Sequence, residues 1–284
     1  MSAWDSWIGR KEVREDRLDE ALARRWLSTF DLEARPDGAM PQGIHFCLCT
    51  PDAPTAALGE DGHPARSDEA GSFFPPIPLP RRMWASSAIT FLAPLTIGSR
   101  IERISRIASI SEKRGSSGDL AFVEVEHVTT CDHVEAVHET QSLVYLASVD
   151  PDAPLSPPPP GEQAFDAAGW DEHFEVQPDP RLLFRYSALT FNTHRIHYDA
   201  PYAREVERYR GLVVHGPLTA SLLMQMAARR FGENRLTGFS FRGVSPAIAG
   251  EPLHLVLRDT GKAIEMGAFA RDGRQVTRAS ATLG

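Results

Sequence analysis

Three cysteines in 284 residues are too few to staple a fold together, and two of them sit one residue apart at Cys47-Leu-Cys49. A reducing compartment, the cytoplasm, is the expected setting. On a strand, His45, Cys47 and Cys49 would share one face, but three donors so close on one strand rarely surround an ion, and buried free thiols are ordinary. Long apolar runs are missing too. Nothing approaches the roughly 18 to 20 residues of a spanning helix, and Met1 to Asp31 carries charges throughout rather than a leader's apolar block, which excludes a membrane partner. A basic excess is also absent. The net charge of −8 and pI near 5.7 argue against nucleic acid, while a small anion held by a few arginines remains open.

What is present divides in two. Leu18, Leu22 and Trp26 recur four apart, so residues 15 to 30 read as an amphipathic helix. Residues 50 to 82, rich in Pro, Gly and charge, read as a long loop wrapping its own domain. Strands are expected at 84–92, 99–111, 119–131 and 135–147, and again at 235–244, 251–259, 262–271 and 274–283. Between Val149 and Asp179 the prolines cluster with little periodicity. The chain therefore divides into a first unit at 1–148, a linker at 149–179 and a second unit at 180–284. Phe91-Leu-Ala-Pro-Leu-Thr-Ile-Gly98 and Phe241-Arg-Gly-Val-Ser-Pro-Ala-Ile-Ala-Gly250 each introduce three strands, so the units read as copies, α+β in class.

The copies are unequal. Only the second carries Thr190-Phe-Asn-Thr-His-Arg-Ile-His-Tyr-Asp199, followed by His215-Gly216-Pro217 at the head of an apolar helix over 217–230. Asn192, His194 and His197 fit around one small space on a tight bend. His197 is the preferred acid/base, because imidazole titrates near neutrality; His194 could share that role. Asn192 can only orient water or substrate. At the helix start, Gly216 lets a ligand oxygen approach orphan backbone N–H groups, beside His215. Two satisfied histidines on a polar loop, with His215 capping a turn, is the structural alternative. A metal set of His194, His197, Asp199 and His215 is less apt, since Asp199 before Ala-Pro-Tyr looks like a helix N-cap.

At these residues the sequence resembles the MaoC-like hydratases of the hot-dog fold. Their signature is Asp-x-Asn-Pro-x-His-x-Asp followed by Gly-x-x-x-His-Gly. Gly211-Leu-Val-Val-His-Gly216 matches the second element and His197-Tyr-Asp199 the end of the first, with Asn192 at the family's catalytic aspartate and His194 at its asparagine. The wording Phe-Asn-Thr-His-Arg-Ile-His-Tyr-Asp is similar to the branch of mesaconyl-C4-CoA hydratases and 3-hydroxyacyl-thioester dehydratases.

The resemblance implies a double hot-dog, each unit a long helix wrapped by an antiparallel sheet, the first degenerate and the second active. It implies reversible hydration of a 2-enoyl-CoA to the 3-hydroxyacyl-CoA, with His197, Asn192, His194 and Gly216 catalytic. His215, Arg242 and Arg195 are expected to bind substrate, with Arg185 as a further candidate for a substrate carboxylate. No metal and no cofactor beyond the substrate's own CoA are implied, and a homodimer is expected. The rival readings are a hot-dog acyl-CoA thioesterase and a non-catalytic thioester-binding module.

Overall fold

The computed structural model describes residues 4–69, 71–115 and 118–284. In chain order the first half contains strand β1 (Lys11–Arg17), helix α1 (Glu20–Thr29) and strands β2 (Arg81–Phe91), β3 (Arg100–Gly115), β4 (Gly118–Cys131) and β5 (Val134–Leu146). The second contains strand β6 (Glu172–Val176), helices α2 (Pro180–Leu189), α3 (Ala200–Glu205) and α4 (Gly216–Phe231), and strands β7 (Leu236–Gly243), β8 (Leu253–Asp259), β9 (Ile264–Ala270) and β10 (Gln275–Leu283). All ten strands form one antiparallel sheet, ordered β1-β3-β4-β5-β2-β7-β10-β9-β8-β6. Read from either edge the order is the same pattern, so two copies of one unit meet at the β2–β7 pair.

Local chemistry moves two boundaries. The apolar spacing over 15–30 predicts a single helix, yet Lys11–Arg17 alternates exposed and half-buried side chains as a charged edge strand does. Asp19 then starts α1 by accepting from Leu22 N at 2.6 Å. Strand β6 likewise lies inside the Pro-rich stretch expected to be linker throughout, so the second unit begins at its edge strand rather than at residue 180. The rest of that stretch is tied to the second half. Ser156 N donates to Arg208 O at 2.7 Å, and Phe165 N donates to Arg271 O at 2.7 Å. Ile44–Cys47 forms a short 3-10 turn, so the one-face argument for His45, Cys47 and Cys49 does not apply.

Helix α4 runs across the inner face of β7 to β10. Pro217 in its first turn and Arg229 and Arg230 in its last favour its ends, and its middle is buried from Leu218 to Ser221 and from Leu223 to Ala227. Among the described residues no helix is long and apolar enough to cross a membrane.

The duplication is legible in the hydrogen bonds. Leu22 N on Asp19 matches Leu182 N on Asp179, and Leu32 N on Leu27 O matches Asn192 N on Ser187 O. Asp31 and Phe191 turn the chain with φ of 53° and 47°. Farther on, Met40 N to Leu95 O matches Val214 N to Ala247 O. By this register the first half has Leu27, Leu32, Pro41 and Gln42 where the second has Ser187, Asn192, His215 and Gly216. It also has only residues 33–38 where the second has 193–212, so no counterpart of the motif histidines or α3 exists.

Where α4's counterpart would begin, the chain makes the Ile44–Cys47 turn instead and continues as the long loop. Gly43, at φ 107°, lies so close to α4 that a Cβ would sit 3.2 Å from both Met224 and Ser221. The first half has thus lost its helix and kept its sheet. The loop released by that loss crosses to the other half's motif.

Candidate active site

Each motif side chain is held by a short local device. Phe191, in the left-handed region, ends α2; Asn192 Oδ1 then accepts from His194 N at 2.9 Å, closing the bend. Arg195–His197 is one 3-10 turn, and Asp199 caps α3 through Tyr202 N at 3.1 Å. The turn buries His194 and His197 while leaving Tyr198 exposed.

His197 Nδ1 lies 2.7 Å from the Val213 carbonyl oxygen. A carbonyl can only accept, so Nδ1 carries the proton and Nε2 holds the lone pair. Its ring stacks on His215, with centroids 3.6 Å apart and planes 18° apart, and His194 stands edge-on at 5.4 Å. Burial pushes His197 down to about 4, opposed by the Val213 carbonyl, so at neutral pH the imidazole is neutral and its Nε2 lone pair is unprotonated. Burial also drives His194 and His215 below the ordinary histidine range, with neighbouring imidazoles adding to the effect.

His215, a candidate for substrate contact, is 2% exposed, places Nε2 2.9 Å from Ser187 Oγ, and stacks flat against His197. Gly216 is different: a Cβ built there meets nothing within 4 Å, so space lies beside the helix start. Thr219 is the first residue to donate back, to His215 O at 3.1 Å, and Pro217 has no N–H. The Gly216 and Leu218 N–H groups are therefore the orphan donors at this end.

A second group reaches the motif from the first half, and the sequence offered no periodic signal for it. Loop residues Asp61-Gly62-His63 dock on the bend: Arg195 N donates to Asp61 O at 2.9 Å and Thr193 Oγ1 donates to Gly62 O at 2.5 Å. Asp61 Oδ2 holds His63 Nδ1 at 2.9 Å, and the His63 ring lies 4.2 Å from that of His194. Burial and then the charge of Arg82 bring His63 down to about 4, partly offset by Asp61. Burial acts to raise Asp61, but its bonds to His63 hold it below the ordinary carboxylate range.

Gly62 is the residue that permits this docking. Its φ is 88°, and a Cβ would fall 1.8 Å from the Thr193 carbonyl oxygen. Gly62→Ala is expected to push the loop off the motif, lowering the thermal midpoint and cutting kcat/KM by about 100-fold. Thermal melts and steady-state rates on the same preparation check both effects.

Asp61, His63 and His194 are the one set of three metal-type donors within 4.8 Å of each other among the described residues. The four-residue metal set weighed from sequence is not assembled, because Asp199 is turned to Arg195 and the α3 cap. Two of the three candidate arginines, Arg195 and Arg185, are engaged within the protein. Arg195 is spent on Asp199 Oδ2 at 3.0 and 2.8 Å and on Glu60 O at 3.1 Å. Arg185 ties α2 to Ser28 O, and Arg242 is exposed, on the opposite sheet face from the buried Phe239 and Phe241.

A buried imidazole base beside open helix-terminal amides suits proton transfer next to a thioester carbonyl, and likeness to known proteins agrees. Residues 43–249 match the model of the family described as hydroxyacyl-thioester dehydratase type 2. The chain belongs to this family. A mesaconyl-C(4)-CoA hydratase of Chloroflexus aurantiacus is 43% identical over 289 residues, covering 99% of this chain and 98% of the relative. HtdX of Mycobacterium tuberculosis, a solved structure, superposes with a TM-score of 0.68 at 16% identity, over 97% of this chain and 100% of that one. A second Mycobacterium tuberculosis structure, described as a double hotdog fold, gives a TM-score of 0.59 at 15% identity over 98% and 96%. The duplicated sheet is thus a double hot-dog, and the dehydratase is a hydro-lyase that interconverts 2-enoyl and 3-hydroxyacyl thioesters.

Proposed function

We propose that the protein hydrates a branched, dicarboxylic 2-enoyl-CoA, mesaconyl-C4-CoA to citramalyl-CoA, at a single site in its second half. The observation that carries the site is the fixed tautomer of His197 next to the open Gly216 turn. The likeness to the Chloroflexus hydratase supports the substrate.

In this reading water lies at His197 Nε2. As the water oxygen bonds to the β-carbon, its proton passes to Nε2, and the electrons of the double bond move onto the thioester oxygen. The Gly216 and Leu218 N–H groups, fixed at the open helix start before the reaction, receive that enolate charge. The α-carbon then takes the proton from the His197 imidazolium, which restores the base. Asn192 has its carbonyl engaged by the bend, so only its amide N–H groups are free to orient water. Asp61 and His63 supply the oriented carboxylate–imidazole pair that the motif itself lacks, held against His194.

Residues Asp61, His63 and His194 could bind a cation by donor type, but the positive charges of Arg82 and Arg66 act on the same pocket and oppose a dication. Elemental analysis of the purified protein is expected to show no stoichiometric transition metal. A panel of straight, branched and dicarboxylic enoyl-CoAs, followed in both directions, tests the substrate. The dicarboxylic branched thioester is expected to give the highest kcat/KM, and a clear preference for straight-chain monocarboxylic thioesters would refute the assignment.

A further inference from the structure

Neighbouring arginines at the start of β2 have opposite surroundings. Arg81 is paired with the buried Glu207 and lies beside the Tyr209 hydroxyl. Arg82 points to the other side of the strand, and among the described residues it has no carboxylate partner. Its guanidinium lies 5.6 Å from the Phe74 ring, and it is half-buried. A guanidinium partly withdrawn from water without an anion is unfavourable by itself.

The residue opposite Arg82 in the β2–β5 register is Tyr145. Tyr145 is 0% exposed, and its hydroxyl is buried with no hydrogen-bond partner. Over its ring, 4.8 Å from the centroid, lies the guanidinium of Arg66, which is itself bonded to the Ile77 and Leu79 carbonyls. Arg66 is three residues beyond His63, on the loop that docks against His194. Arg82 is thus linked through Tyr145 and Arg66 to the loop that docks on His194, and its charge acts on Asp61, His63 and His194. Two guanidiniums thus act on one carboxylate, Asp61, which His63 already occupies, while the Tyr145 hydroxyl between the arginines has no partner.

We infer that Arg82, together with the Tyr145 hydroxyl, binds the free carboxylate of a dicarboxylic enoyl thioester and thereby sets which acyl groups the site accepts. This rests on the hydratase reading above and names its specificity device. In mesaconyl-C4-CoA the free carboxylate is attached to the β-carbon, the atom that water attacks. Arg82 would therefore fix that carbon relative to His197, while the methyl branch points elsewhere. The degenerate half, having lost its own histidines, contributes specificity through β2, β5 and the crossing loop.

The experiment compares kcat/KM for mesaconyl-C4-CoA with that for crotonyl-CoA, a monocarboxylic enoyl thioester, in the full-length protein. Arg82→Gln is expected to lower the ratio of the two by about 10- to 100-fold, the scale of one charge-assisted contact. Tyr145→Phe, which removes only an unpartnered hydroxyl, should retain the fold and lower the ratio by about threefold or more. An unchanged ratio in both variants, or equal losses on both substrates, would overturn the inference. Wild-type protein that hydrates only crotonyl-CoA overturns it together with the dicarboxylic substrate, while leaving hydration at His197 intact. Absence of hydration with any enoyl-CoA removes both.

Discussion

His197→Asn is expected to lower kcat by about 10²- to 10⁴-fold, the usual loss when a positioned acid/base is removed. Asparagine is the informative replacement because its amide N–H can still donate to the Val213 carbonyl, as His197 Nδ1 does at 2.7 Å. The bend and its packing on His215 then have reason to persist, while the lone pair at Nε2 is gone. A far-UV spectrum and thermal midpoint close to wild type, together with the lost rate, separate chemistry from folding. Turnover that survived unchanged would assign the base to another group, His63 or His194 being the nearest titratable neighbours.

Acidification from pH 7 to pH 5 is expected to remove several kcal/mol of stability and to unfold the protein cooperatively. His45 and His127 are brought down to about 3, and His63 and His197 to about 4, in each case chiefly by burial. Free in the unfolded chain these groups titrate near 6.5. Between about pH 6.5 and 4 the unfolded chain therefore binds protons that the folded one does not, and folding weakens as pH falls. Each such histidine contributes up to about 1.4 kcal/mol per pH unit. Glu139 acts in the opposite sense: burial raises it to about 7, so it favours the fold as pH falls toward the unfolded carboxylate value, offsetting about one histidine. Against a typical reserve of about 5–15 kcal/mol the balance is large. Denaturant midpoints measured by circular dichroism at half-unit pH steps check the slope. Activity is expected to fall along the same curve, since the base form of His197 persists to lower pH than the fold does.

The parts legible in the sequence are those whose signal is local. The apolar stretch after His215-Gly216-Pro217 is the buried helix α4, and eight expected strands lie within a few residues of their observed bounds. The repeated segments before Gly98 and Gly250 mark equivalent positions, as their matching hydrogen bonds to Leu18 and Pro178 attest. The bend from Asn192 to Asp199 was recognisable because its histidines lie within one turn of each other. Edge strands β1 and β6 were not, since a charged or proline-flanked edge carries little apolar alternation.

Asp61 and His63 were hidden for a stronger reason. They meet residues 193–195 about 130 positions away through backbone contacts that any loop could make, and only the strained fit of Gly62 records the meeting. Arg82 was likewise indistinguishable from Arg81 until strand alternation sent one to Glu207 and the other toward Phe74 and Tyr145. Conversely, Arg195 looked available because a sequence does not reveal that it is engaged by Asp199.

The reaction at issue is addition of water across the conjugated double bond of a CoA thioester. It is tested most directly by incubating mesaconyl-C4-CoA with the protein in oxygen-18 water and analysing the product by mass spectrometry. The expected product is an intact CoA thioester carrying one heavy oxygen, located in a new hydroxyl on the β-carbon. Free CoA with the heavy oxygen in a released carboxylate would mark a thioesterase and contradict it.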